Sequence, residues 1–411
     1  MQKSLDFGPE SKNVRELYKL MVINMDSETK GTTHIVGTFL ISAHGAFLNG
    51  AGTDPSLQDK TTTIPKQFAD GKYKVPYVSA QSWRHWLRNT LIEETGWEQS
   101  KLRAIKKSEK GTTSKIAGSL NPINYPEDDL FGYMRAAEGQ GKNKKEDSLA
   151  APLDTEADEE ENADSAENND SKEKQSKVKV KSLIRASPFA SSILVSLRKS
   201  GWKGTDNGYV HLEEGTPVPY STVFYNTNLH GIFGLDLSRI GVFSNIGDRI
   251  ELDEPLVEEG LKSKKITEIE KGKYSISDKT VKNIRAAELL KALSIMRGGA
   301  KQAAYATDVS PKVLILAGRN CGNLVFNRLF EDNPDQLSLD GPVIKIDMLK
   351  EIADDYEDKL TTPVYIGIRT GYLDTDNEKS IRDLGNLTNS QFIVGTPRDV
   401  IEKFISVHLK V

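Results

Sequence analysis

The chain has one cysteine in 411 residues, Cys321, so no internal disulfide forms and packing alone must hold the fold. Its six histidines, His34, His44, His85, His211, His230 and His408, are scattered, and none combines with the cysteine at the spacing of a zinc site. There is no run of about 18 apolar residues to span a bilayer. The opening stretch, MQKSLDFGPESKN, lacks the apolar core of a signal peptide, so a cytoplasmic protein with no membrane partner is expected. An excess of positive charge is missing too. Lys and Arg number 55 against 59 Asp and Glu, a net charge of −4, which taken as an average speaks against nucleic acid.

The average conceals where the acids lie. Residues 138–181 hold 13 acidic and 8 basic residues, and nine of the acids fall within Asp154 to Asp170, which has no base. Outside those 17 residues the chain carries +5. With no aromatic and few apolar side chains, 138–181 cannot bury enough surface to offset its ordering entropy, and disorder is expected there. The rest is long enough for two domains, or one elaborate domain with insertions.

Two β-branched, aromatic runs open the ordered part, Leu17 to Met25 and Ile35 to Phe47, and both read as strands. Ala51 to Lys74 is polar and rich in turn formers, the pattern of a long loop. Ser79 is a natural N-cap, and Trp83, Trp86, Leu87 and Leu91 recur at helical spacing, which predicts a helix from about Ala80 to Thr95 ending at Gly96. A short helix fits PEDDLFGYM, near Tyr133. Ser187–Leu197 and Tyr220–Leu237 read as strands flanking an extended hairpin arm. Lys279 to Met296 predicts a second amphipathic helix ending at Gly298-Gly299, and Lys312–Ala317 a buried strand. With Leu17–Met25 set aside, the order is strand, helix, strand, strand, helix, strand, the split βαβ arrangement of ferredoxin-like and RNA-recognition-motif folds. Helix, strand and helix are expected beyond it, near Met348–Tyr356, Pro363–Ile368 and Arg398–Val407.

Four groups of residues can carry chemistry. On the first helix, Gln81, Arg84 and Arg88 share one face beside the Ser79 and Ser82 hydroxyls, at a helix start whose free N–H groups favour anions. A capped helix with a solvated basic face has the same pattern. In MRGGAKQAAY, Arg297, Lys301 and Gln302 surround a glycine pair that allows close backbone approach, and a plain helix C-cap fits equally. After the long strand come His44, Asn49 and Asp54, with no paired acid or second histidine that would make His44 a general base. In the arm, Trp202, Lys203, Tyr209 and His211 interleave aromatic and basic side chains, as base-stacking surfaces do and ordinary hairpin tips can.

Together, GTFLISAHGAFLNGAGTD, VPYVSAQSWRHWLRNTL, the arm before VFYNTNL, and MRGGAKQAAYATDVSPKVLIL resemble the CRISPR-associated backbone subunit of type I Cascade complexes, in its DevR-like, type I-B-like branch of the RAMP superfamily. The resemblance spans roughly Val14 to Phe330. It implies an α+β hand: an RRM-like, ferredoxin-like palm (βαββαβ) from residues 14–97 with 183–335, a thumb hairpin at 198–219, and a helical finger insertion at 98–182. Residues 336–411 would be a C-terminal extension packed on the palm. It further implies an antiviral, non-catalytic subunit without metal or cofactor. Copies would assemble head to tail as a helical oligomer along the guide RNA (crRNA), with other Cascade subunits as partners and target DNA bound by pairing with the guide. Asn49, Ser79, Gln81, Arg84, Arg88, Arg297, Lys301 and Gln302 would contact RNA, joined in the thumb by Trp202, Tyr209 and His211. The alternative within the superfamily is an endoribonuclease using a loop aspartate, Asp54 or its neighbour Asp59.

Deleting residues 138–181 is expected to leave folding intact and RNA binding equal or tighter, as read by thermal melting and a gel-shift titration. Lost binding would show that the acidic stretch takes part in assembly.

Overall fold

The computed structural model describes residues 31–54, 61–100, 103–107, 113–117, 119–135, 182–247, 249–332, 341–387 and 391–411. The expected strand Leu17–Met25, the acidic stretch and Asp59 lie outside them. Twelve strands form one large sheet: β1 (His34–Ala46), β2 (Gly50–Thr53), β3 (Thr62–Pro65), β4 (Gln67–Asp70), β5 (Tyr73–Val78), β6 (Phe189–Ser191), β7 (Leu194–Ser196), β8 (Lys203–Val210), β9 (Val218–Asp236), β10 (Val313–Arg319), β11 (Val364–Ile368) and β12 (Phe392–Gly395). The helices are α1 (Ala80–Thr95), α2 (Pro126–Phe131), α3 (Glu254–Lys262), α4 (Thr280–Ser294), α5 (Gln302–Tyr305), α6 (Ile346–Asp355), α7 (Thr375–Gly385) and α8 (Pro397–Phe404).

The main path of the sheet runs β12-β11-β10-β1-β9-β7-β5-β4 and is antiparallel except where β12 joins β11. Strand β1 is central, as its unbroken apolar run predicts, and it is buried on both sides. Ile35, Phe39, Ile41 and Ala43 face a core built with α1, α4 and α8. Val36 and Leu40 face a second core covered by α6 and α7. The C-terminal extension thus adds two strands to one edge and helices to both faces. Helix α7 and strand β12 escaped the sequence pattern, which had indicated only three elements there.

Two expectations change. The polar stretch 51–74 is not a bare loop: β2, β3, β4 and the start of β5 form within it, and β3 runs parallel to β9 through Ser221 and Thr222. The Thr61 carbonyl accepts from the Ser221 amide at 3.3 Å and the Thr62 carbonyl from the Asp54 amide at 2.8 Å, so backbone groups of the polar stretch are met on neighbouring segments. The single strand expected at Ser187–Leu197 is broken into β6 and β7, both paired to β9.

After α1 the chain makes an antiparallel ribbon of Arg103–Lys107 with Thr113–Ala117 and then forms α2. Its attachment is a buried charge cluster. Asp129, fully buried on α2, pairs with Arg185 and Arg285 and accepts from the Gly241 amide at 2.9 Å. Arg185, also fully buried, donates further to Glu251 at 3.0 Å and to the carbonyls of Val242 (3.0 Å) and Arg239 (2.9 Å), with Phe243 under its guanidinium at 4.6 Å. Arg285 reaches from α4 to the carbonyls of Pro122 and Ile123 at 3.0 and 3.1 Å. One carboxylate therefore ties together the insertion, the returning strand Leu183–Arg185 and α4. Removing one member of such a cluster leaves buried charge uncompensated. Asp129→Asn is expected to lower stability by about 3–5 kcal/mol in urea unfolding; a change within 0.5 kcal/mol, the level typical of surface substitutions, would contradict this role.

Candidate nucleic-acid interface

Helix α1 forms where its pattern predicts. Ser79 has extended backbone angles (φ −63°, ψ 148°) and its hydroxyl accepts the Ser82 amide at 3.3 Å. At the far end Gly96 takes the left-handed conformation (φ 66°) and closes the helix on the Ile92 carbonyl. Asn49, arriving from β1, completes the start: its carboxamide oxygen accepts the Ser79 amide at 3.1 Å, and its Nδ2 donates to the Ser82 hydroxyl at 3.0 Å. Asn49, Ser79 and Ser82 thus form one polar cluster. Gln81 stands beside them, half-buried.

The basic face of α1 is not what its spacing suggested. Arg84 is buried: it donates to the Phe189 and Phe131 carbonyls at 2.6 and 3.0 Å and to the Ser191 and Ser187 hydroxyls at 3.2 and 3.1 Å. Phe131 and Phe189 lie against its guanidinium at 5.4 and 5.7 Å. Arg88 faces buried Glu127 at 3.6 Å and the Phe131 ring at 5.1 Å. Both were expected to meet phosphates, and both instead dock α2 and β6 onto α1. Helix α2 and the segment at β6 cover the face that a helical wheel shows as polar.

The glycine loop runs back along α1. The Arg297 amide donates to the Thr90 hydroxyl at 3.0 Å, and the Ala300 amide to the Leu48 carbonyl at 3.0 Å. Gly298 (φ 147°) lies so close to Trp86 that a Cβ there would sit 2.4 Å from the indole, so no larger residue fits. Gln302 donates to the Gly298 carbonyl and accepts the Thr307 amide at 2.9 Å, folding the loop on itself. Lys301, exposed and left-handed (φ 51°), donates to Thr222 of β9 at 2.8 Å and lies 4.8 Å from the Phe47 ring. Arg297 points the other way, to Glu93 and Glu94 at 2.8 and 2.7 Å.

Strands β8 and β9 pair from Lys203–Tyr225 to Val210–Val218 and project the expected arm, eight residues and so roughly 26 Å long. Gly204 and Gly208 lie beneath the Phe224 and Tyr220 rings of the partner strand, which accounts for the glycines. Tyr209, 66% exposed, and His211 occupy the distal part. Trp202 does not. It is buried at the base, donating to the Lys74 carbonyl at 3.0 Å and packed against Tyr225, so it anchors the arm rather than meeting a ligand.

The structure therefore gathers the Asn49 cluster, the glycine loop and the arm's base around the end of β1. It adds Phe47, Thr222, Phe224 and Tyr305, none of them anticipated. Tyr305 stacks on Phe47 (6.5 Å, 26°) and meets Phe224 at 5.9 Å. Burial raises its hydroxyl pKa, with Asp206 adding to the effect. Tyr305 ends the MRGGAKQAAY stretch and was open to notice, whereas Thr222 comes near only through sheet pairing. His44, exposed, binds Asn226 Oδ1 through Nδ1 at 2.7 Å. Among the described residues no group of three or more His, Cys, Asp or Glu is placed to hold a metal ion, and no helix is long and apolar enough to cross a membrane.

The family model described as CRISPR-associated negative auto-regulator DevR/Csa2 matches residues 48–332. Among solved structures, a chain of a "CRISPR RNA-guided surveillance complex" aligns at a TM-score of 0.41 and 12% identity over 91% of this chain and 99% of that one. A chain from the pre-nicking form of such a complex aligns at 0.45 and 12% over 92% and 100%. At those scores neither bears on site or mechanism. No curated protein matches the chain.

Burial pushes the Glu127 carboxyl from its ordinary 4.5 up to about 7, against the opposing pull of Arg88 and the Ser100 amide. A carboxyl raised on folding contributes stability that is complete below pH 4.5 and is lost as pH climbs through about 7. Urea midpoints are expected to fall across that window, and Glu127→Gln is expected to flatten the fall. An identical pH profile in the variant would contradict the assignment.

Proposed function

Because this chain belongs to the DevR/Csa2 family of CRISPR-associated proteins, we propose that it is a non-catalytic, guide-RNA-binding subunit of a type I Cascade complex, I-B-like in kind. The observation that carries this beyond the family is the junction at the end of β1. There an exposed lysine (Lys301), a tyrosine on an aromatic support (Tyr305) and the Asn49–Ser79–Ser82 cluster meet the base of a projecting arm. A cation beside an aromatic platform suits single-stranded nucleic acid, whose phosphates need positive charge and whose bases stack without regard to sequence.

The strand order β10-β1-β9-β7, with α1 and α4 packed on one face, supports a ferredoxin-like, RRM-like palm. The β8–β9 arm then serves as thumb, and its exposed Tyr209 and His211 suit contact with RNA or a neighbouring copy. Copies line up head to tail on one guide in the cytoplasm, other Cascade subunits end the row, and target DNA is recognised by pairing with the guide. Asn49, Ser79, Gln81, Lys301 and Gln302 remain the palm residues nearest the RNA, while Arg84, Arg88 and Trp202 support the fold.

Protein purified with its guide is expected to show raised nucleic-acid absorbance and, after nuclease digestion, RNA protected at regular intervals and otherwise uncut. RNA-free monomers that ignore added guide would refute the proposal. Cleavage of complementary RNA that disappears in Asp54→Ala would establish the nuclease alternative in its place.

A further inference from the structure

Arg297 was expected among the RNA ligands, yet its guanidinium lies at the wrong end of α1. Glu93 is fourteen residues beyond the Ser79 cap, roughly 21 Å along the helix axis. There Arg297 spans two carboxylates, Nη2 to Glu93 at 2.8 Å and Nη1 to Glu94 at 2.7 Å, and these hydrogen bonds hold its pKa above the ordinary value. The two glutamates occupy the last turn of α1, which has no basic residue of its own. Negative charge is unfavourable at a helix C-terminus, so a cation from outside relieves the strain of both.

We infer that Arg297 is a positioning residue, whose paired bridge straps the glycine loop to the end of α1 and so sets where Lys301 and Tyr305 present themselves to RNA. The inference rests on the RNA-binding proposal for the ligand, and on geometry alone for the strap. The loop needs such a tether. Gly298, Gly299, Lys301 and Ala306 all have positive φ, and the last two pay a steric cost for it. Between Arg297 and Val309 no residue is buried, and the segment's packing contacts are those of Gly298 with Trp86 and of Tyr305 with Phe47 and Phe224. Its other ties are polar: Arg297 on Glu93 and Glu94, the Arg297 amide on Thr90, the Ala300 amide on Leu48, and Lys301 on Thr222. Lys301 fastens the loop to the arm's base, and Arg297 fastens it to the helix.

The two roles for Arg297 predict opposite signs for one variant. If Arg297 grips phosphate, Glu93→Ala/Glu94→Ala frees the cation, removes two negative charges and tightens binding. If Arg297 is a strap, the same change releases the loop and weakens binding. The probe is a fluorescently labelled poly(U) oligonucleotide titrated at several salt concentrations. Both Glu93→Ala/Glu94→Ala and Arg297→Gln are expected to weaken binding, about tenfold, with the salt slope unchanged. Tighter binding by the double variant, or a slope reduced by about 0.7 in Arg297→Gln as for one lost phosphate contact, would overturn the inference. Hydrogen exchange of the unliganded proteins gives a readout free of RNA: amides of Gly298–Tyr305 are expected to exchange faster in both variants, and unchanged protection also overturns the strap. Should wild-type protein bind no poly(U), the RNA proposal fails while the exchange result still decides the strap.

Discussion

The architecture depends on buried guanidiniums that find backbone carbonyls and carboxylates inside the protein. Arg84 takes two carbonyls and two hydroxyls, Arg185 meets Asp129 and Glu251, and Arg285 meets Asp129 and two carbonyls. Each holds α2, through the Phe131 carbonyl or the Asp129 carboxylate. Arginine suits that task because it keeps its charge and offers five donors in a rigid plane, enough to gather several chain segments at one point. The insertion is thereby fixed on α1, and α1 in turn is the wall along which the glycine loop runs.

This use of arginine marks the limit of what the sequence discloses. The ends of α1, the central place of β1, the arm and the buried strand at Val313 all follow from period, cap and turn residues, because those signals are local. Arg84 and Arg88 were misread for the same reason. A helical wheel separates apolar from polar faces, but it cannot distinguish a polar face open to water from one covered by segments far along the chain, here α2 and the stretch at Ser187–Ser191, that bring their own acceptors. Trp202 shows the complementary error: aromatic and basic residues interleave both at a hairpin tip and at its root, and only the pairing of β8 with β9 tells which residue is at the root. The polar stretch after β1 hid its strands because they complete their hydrogen bonds with β9, far away in sequence.

The candidate interface consequently moves. Spacing placed it along the arginine face of α1, whereas the structure leaves the helix start, the glycine loop and the arm's base as the surface where polar and aromatic side chains converge. The −4 net charge is a poor guide to that surface, since nine of the acids that set it fall within the 17 residues from Asp154 to Asp170. What matters for binding a phosphate backbone is the local field rather than the average, and on this candidate surface Lys301 stands exposed beside Phe47 and Tyr305.

Ultraviolet crosslinking of bound guide RNA, followed by mass spectrometry of the attached peptides, tests this displacement most directly. Crosslinks are expected on peptides containing Lys301 to Tyr305 and on the arm around Tyr209. Crosslinks concentrated instead on the Arg84–Arg88 segment of α1, with none at the glycine loop, would contradict the account.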